Sequence, residues 1–232
     1  MYEVSTSILN LTDNIKGDEK SFNFEKGNEA EVILKLEKAK TDYYHIDVMD
    51  GKFVEKNTYE WMKAVCSYIK RLSNIPLDVH LMVEDVKSSV EDFSAVEPNI
   101  ITFHYESCKD DKEVMEMINL IKHYNSKVGI SIKPNTPVDK IYKFLPYIHV
   151  VLVMTVEPGK GRQGFISEML TKIEELRMYE KDNNFDFQIE VDGGINLATC
   201  EQAKQAGAEI LVAGTAILKA IDYKVIIDDL KK

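Results

Sequence analysis

A closed barrel of eight parallel strands wrapped by helices, the (β/α)8 architecture, is the fold this sequence predicts, and three observations predict it. Short β-rich runs alternate with longer segments of helical spacing along the chain, the pattern of βαβ units and a parallel sheet. There are eight such runs, which suits closure into a barrel better than an open, doubly wound sheet. Finally, 232 residues, 44% of them hydrophobic, are enough for one domain spanning 1–232, and no stretch reads as a linker or low-complexity segment.

The elements follow in order. Strands are expected at 4–9, 43–49, 77–82, 99–103, 127–132, 149–154, 187–191 and 209–213, each a short run rich in β-branched or aromatic residues. Between them lie segments with apolar residues at 3.6-type spacing, such as 31–36 and 169–176. The longest apolar stretch, 148–156, contains His149 and is far shorter than the ~20 residues of a membrane helix.

Charge and cysteines narrow the function classes. Acidic residues outnumber basic ones, 39 to 29, a formal charge of −10. That balance argues against a general binder of nucleic acid or anionic membranes, which needs basic excess. A phosphorylated substrate is still allowed, because a local nest of backbone N–H groups binds phosphate inside an acidic protein. Cys66, Cys108 and Cys200 are odd in number and widely spaced, as expected of idle thiols in a reducing compartment. The N-terminus lacks the basic region and apolar run of a signal peptide, so the expected location is cytoplasmic.

A barrel places its chemistry where strands end and βα loops begin, with phosphate near the loops after strands seven and eight. In the second strand, His45 and Asp47 are two positions apart and share a face. His80 in the third strand sits at the matching level, and the seventh ends at Asp192. Two imidazoles and two carboxylates are a four-ligand N/O set suited to Zn²⁺, Fe²⁺, Mn²⁺ or Co²⁺. Against this stands the plainer possibility that each histidine is a satisfied core residue and Asp192 a turn former before Gly193 and Gly194. His104 is expected to be a hydrogen-bonding wall residue, and His123 and His149 structural. The glycine clusters at 192–196 and 213–217 fall at the expected phosphate position, where small residues let backbone amides approach an anion. Ordinary βα turns are the alternative for either cluster alone. The loop 157–165 after strand six is long and glycine-rich and is placed to close over the site.

Taken as an ordered set, these segments resemble the ribulose-phosphate 3-epimerase family. The resemblance is carried by Ser7-Ile8-Leu9-Asn10, His45-Ile46-Asp47-Val48-Met49-Asp50-Gly51-Lys52-Phe53-Val54, His80-Leu81-Met82-Val83, Thr102-Phe103-His104, Val153-Met154-Thr155-Val156-Glu157-Pro158-Gly159 and Val191-Asp192-Gly193-Gly194-Ile195-Asn196. It implies a barrel holding one divalent metal ion (Zn, Fe(II), Mn or Co) through His45, Asp47, His80 and Asp192. It also implies that Asp47 and Asp192 act as an acid/base pair inverting C3 of a ketose phosphate through a 2,3-enediolate. Ser7, His80, Gly161, Gln163, Gly193, Gly194, Gly214 and Thr215 match the family's substrate and phosphate contacts. Met49, Met82 and Met154 match its site-lining methionines, for which plain core packing is the alternative. The implied reaction interconverts D-ribulose 5-phosphate and D-xylulose 5-phosphate in the pentose phosphate pathway, and the implied assembly is a homo-oligomer.

The sequence departs from the family pattern in three places. Lys160 replaces the usual Phe of the loop after strand six. Arg162 replaces a Gly there, putting a side chain where a backbone amide normally meets substrate. The usual Pro-Asn after Phe53-Val54 has become Glu55-Lys56-Asn57, and a charged stretch around 17–31 lengthens the first connection. The altered loop leaves open a six-carbon substrate such as D-allulose 6-phosphate. Two other readings remain: a Schiff-base aldolase using Lys133, which is expected rather to pair with a carboxylate or reach solvent, and a non-catalytic sugar-phosphate sensor.

Overall fold

The computed structural model describes residues 2–9, 11, 29–159, 161 and 163–232. Asn10, Lys160, Arg162 and most of the charged stretch, residues 17–28, lie outside the described residues. Eight parallel strands close into a barrel in sequence order: β1 (Glu3–Ser7), β2 (Tyr43–Met49), β3 (Leu77–Met82), β4 (Ile100–His104), β5 (Lys127–Ile132), β6 (Val150–Met154), β7 (Gln188–Asp192) and β8 (Ile210–Ala213). Four expected strands shift by one residue at their ends. The first stops at Ser7 instead of running to residue 9, with the Ile8 amide donating to the His45 carbonyl beyond the strand.

Helices α1 (Glu29–Ala39), α2 (Tyr59–Leu72), α3 (Val86–Ser94), α4 (Asp111–His123), α5 (Leu170–Asn183), α6 (Cys200–Ala206), α7 (Thr215–Leu218) and α8 (Tyr223–Lys231) accompany the strands. The link from β5 to β6 is the exception to the alternation: it holds two 3-10 turns, Val138–Lys140 and Tyr142–Tyr147, and no α-helix. Pro134, Pro137 and Pro146 explain this, because each removes a backbone donor and disfavours the α conformation before it.

Strand side chains alternate, so each strand feeds two cores. Outward residues such as Ile46, Val48, Val79, Leu81 and Phe103 join the helices in one large apolar shell. Inside, Tyr43, Ile100, Val150 and Ile210 form a separate apolar layer at the N-terminal end, drawn from the four even-numbered strands as barrel geometry requires. Above it the interior becomes polar on the side of β1, β2, β3 and β7. This apolar floor keeps solvent from reaching the polar groups from below.

Candidate metal centre and active site

His45 and Asp47 project inward from β2, His80 from β3 and Asp192 from the end of β7. Register pairs Asp47 with His80 across β2 and β3. The four side chains each offer one ligand atom within 4.8 Å of the others. His45 Nε2 is 3.5 Å from Asp47 Oδ1 and 3.8 Å from Asp192 Oδ2, and His80 Nδ1 is 3.7 Å from the same two oxygens. Both histidines are fully buried, and these two nitrogens have no hydrogen-bond partner. Orphaned buried nitrogens facing two carboxylates are what a cation-binding set requires, since an unpaired buried polar atom is otherwise costly. The donor set therefore fits a borderline divalent metal ion.

Further groups hold these side chains from behind. His45 Nδ1 lies 2.6 Å from Asp78 Oδ2, which also accepts from the Ser5 hydroxyl at 2.8 Å. With its Nδ1 hydrogen donated to Asp78, His45 aims Nε2 at the cluster, where a bound cation would take the place of the proton that Asp78 and Asp47 otherwise favour. The Ser7 hydroxyl donates to Asp47 Oδ2 at 2.9 Å. Burial, together with the charge of Asp78, pushes the Glu190 carboxyl well above its usual range, so it stays protonated beside Asp78. His45, Asp78 and Glu190 form a second close group of ligand-type side chains. The short His45–Asp78 bond fills that space, so this layer supports His45 and is not a second cation site.

The two aspartates differ in acidity. Burial opposes the Asp47 charge, but His45 and His80 outweigh it and hold Asp47 well below the usual carboxylate range. Burial, and next the charge of Asp47, push Asp192 up to about 7. An ionised carboxylate thus faces one that is partly protonated near neutral pH.

A cavity of about 470 Å³ opens above the cluster. It is lined by Ser7, Asp47 and Asp192, by Met49, Met82 and Met154, and by Gly161, Gln163, Gly193, Gly194, Gly214 and Thr215. His45 and His80 lie beneath its floor, and Arg162 is outside the described residues. Gly193 and Gly194 have φ of +123° and +69°. A Cβ at Gly193 would sit 2.4 Å from Val156, and one at Gly194 2.6 Å from the Phe165 amide nitrogen, so no side chain fits at either. The loop after β6 is tied down by the Thr155 hydroxyl donating to the Gly193 carbonyl at 2.7 Å and by Gln163 donating to the Glu157 carbonyl at 2.6 Å.

Sequence reasoning missed Asp78, Glu190, Glu106 and Lys219. Asp78 and Glu190 were legible in principle, because strand alternation puts each two positions below a candidate ligand. Lys219 is the one cationic side chain among the described residues lining the cavity. His104 does bond within the wall: its Nε2 is 2.9 Å from His80 Nε2. His123 and His149 lie away from the site. Lys133 has no carboxylate partner among the described residues and is half-buried, so part of it reaches solvent as expected; its ammonium sits 3.8 Å over the Phe53 ring, and it does not line the cavity. Phe53 packs against His104, which places that ammonium over an aromatic face rather than against a carboxylate. A Schiff base at Lys133 therefore has no access to the site.

Fold and site together define a (β/α)8-barrel enzyme with paired carboxylates and a buried two-histidine, two-aspartate cluster beneath a small-molecule cavity. Comparison with known proteins takes this further. Residues 21–218 match the model of the family described as ribulose-phosphate 3 epimerase. Proteins named ribulose-phosphate 3-epimerase are 40% identical in Methanocaldococcus jannaschii (89% of this chain, 85% of that one) and 38% identical in Bacillus subtilis (88% and 91%). The chain belongs to the ribulose-phosphate 3-epimerase family and is an enzyme of the carbohydrate-epimerase class. Among solved structures, KGPDC from Streptococcus mutans shares the fold with a TM-score of 0.69 at 10% identity, covering 100% of this chain and 96% of that one. The 3-hexulose-6-phosphate synthase of Salmonella typhimurium does so with a TM-score of 0.65 at 12% identity, covering 99% and 96%.

Proposed function

We propose that this chain is one catalytic domain that interconverts D-ribulose 5-phosphate and D-xylulose 5-phosphate by inverting C3 between Asp47 and Asp192. The observation that carries this reading is the pair itself: two carboxylates of divergent acidity, from strands β2 and β7 that are not neighbours in the barrel, meeting over two bare histidine nitrogens. Divergent acidities are the mark of a base and an acid working together.

Asp47, held ionised, takes the C3 proton from one face. Asp192, with its carboxyl near neutrality, returns a proton to the opposite face. One proton leaves and one arrives, so the two groups exchange protonation states in each turnover and the same pair serves the reverse reaction. His45, Asp47, His80 and Asp192 would hold a divalent cation, which when bound supplies Lewis-acid stabilisation, worth several kcal/mol, of charge developing on the sugar oxygens. Ser7 keeps Asp47 oriented. Met49, Met82 and Met154 give the reacting carbon apolar walls that exclude water and strengthen local electrostatics. The backbone around Gly193, Gly194, Gly214 and Thr215 takes the phosphate, with Lys219 adding a positive charge at the rim. Binding energy from that remote group orients the reacting centre. A metabolic enzyme acting on such substrates fits a cytoplasmic homo-oligomer; no helix among the described residues is long and apolar enough to cross a membrane.

The test is exchange of the C3 hydrogen in deuterated solvent across a panel of ketose phosphates. Product from D-ribulose 5-phosphate should carry one solvent deuterium at C3, and activity should vanish on complete chelation and return with Fe²⁺, Mn²⁺, Co²⁺ or Zn²⁺. A higher kcat/KM on a six-carbon ketose phosphate would move the substrate assignment, and undiminished turnover in verified metal-free protein would remove the ion.

A further inference from the structure

We propose that Glu106 is a positioning residue for the metal centre, acting through His104 to decide which nitrogen of His80 is bare. This rests on the reading of His80 as a ligand. His80 presents Nδ1 to Asp47 and Asp192, and its Nε2 lies 2.9 Å from Nε2 of His104. Two neutral imidazole nitrogens at that distance share one hydrogen, so one donates and the other accepts. Nothing within the pair settles the direction.

Glu106 settles it. The residue lies in the 3-10 turn Tyr105–Ser107 that follows β4, and its Oε2 is 3.2 Å from His104 Nδ1. A carboxylate only accepts, so the His104 hydrogen resides on Nδ1 and its Nε2 is an acceptor. His80 must then donate from Nε2, which leaves its Nδ1 lone pair facing the two aspartates. The other carboxylate oxygen of Glu106 accepts from the Lys133 backbone amide at 2.8 Å and from the Thr136 hydroxyl. Both oxygens are occupied by donors, so the carboxylate is fixed in place. Burial opposes its charge, but His104 and these other donors outweigh burial and bring its pKa down to about 2. Phe53 packs 4.9 Å from the His104 ring and buttresses it from the side.

Glu106→Gln is the decisive variant because it keeps the shape and reverses the direction of both hydrogen bonds of the relay. The Lys133 amide cannot become an acceptor, so the Gln carbonyl must face it. The Gln amide group then points at His104 Nδ1, which has to accept. The hydrogen moves to His104 Nε2, His80 must accept at its own Nε2, and the His80 hydrogen lands on Nδ1, where the cation belongs. Expected results are Co²⁺ affinity weakened about tenfold or more, in line with supporting partners of metal ligands, and swapped tautomers of His80 and His104 in the ¹⁵N spectrum of the chelated protein. A purely structural role for Glu106 would move neither tautomer. His104→Phe keeps a ring against Phe53 and removes the acceptor, and should weaken Co²⁺ binding similarly; it also answers the question if the first variant does not fold. Wild-type affinity within threefold in the folded variants, with unchanged tautomers in Glu106→Gln, would overturn the relay alone. Wild-type protein that takes up no Co²⁺ would overturn the metal centre and the relay with it.

Discussion

Strand β3 carries Val79 and Leu81 outward into the apolar shell and Asp78 and His80 inward to the barrel axis, and β2 repeats the division with Ile46 and Val48 against His45 and Asp47. The two faces are about equally buried and have opposite chemistry. The outer face is satisfied by any well-packed apolar set, because dispersion and the hydrophobic effect are non-directional. The inner face is satisfied only by particular partners at particular distances, such as Asp78 beneath His45. Stability and function are therefore written on alternate residues of the same strands, and each face can be damaged while the other survives.

The largest expected effect is on the inner face. Asp192→Asn removes the proposed proton carrier of one face and should lower epimerase kcat by about 10³-fold or more with an unchanged circular-dichroism spectrum. Activity within tenfold of wild type would refute the role. On the outer face, Phe103→Ala should cost about 3–5 kcal/mol of unfolding free energy and leave kcat/KM at 25 °C within about twofold. A matching loss of activity in protein that remains folded would show that the two faces are not separable.

A smaller effect comes from pH. Asp192, Glu190 and His45 have pKa values raised in the folded chain, so their favourable contribution is complete at low pH and is lost as pH rises through the folded values. Asp47 and Asp78 are lowered and lose theirs only in acid. Buried His80 and His104, held below their usual value, work the other way between about pH 5 and 6.5 and offset part of the loss from the three raised groups. Chelated protein should thus melt lower at pH 8 than at pH 5, by roughly 2–4 °C per kcal/mol, and added divalent cation should raise Tm more at pH 8. Scanning calorimetry showing the reverse trend would break the assignment. The smallest effect is at the rim: Lys219→Ala should raise KM for a ketose phosphate about threefold and spare kcat, as expected for an exposed cation.

Much of this was legible in the chain before any coordinates. The alternation of runs set the number and order of strands, and the two-residue spacing of His45 and Asp47 placed both on one face, because strand side chains alternate strictly. The absence of an α-helix between β5 and β6 is written in Pro134, Pro137 and Pro146, against the repeating pattern of the chain, which favours a helix there. Strand alternation placed Asp78 and Glu190 on the inner face, but nothing along the chain showed what they do there. Glu106, in a turn after β4, gave no local sign at all: each acquires meaning only from the side chain it meets in the fold.

By itself the sequence determined the barrel, the strands that carry inward histidine and aspartate, and the glycines after β7 and β8, since these follow from periodicity and from backbone conformations that only glycine tolerates at low cost. The tertiary structure alone decided which nitrogens are bare, which carboxyl is ionised and which keeps its proton. Those properties depend on burial and on distances of 3 to 4 Å between residues 24 to 147 positions apart, such as His80 to His104 and His45 to Asp192. Electrostatic interactions at that range are fixed by closure of the barrel and have no counterpart along the chain.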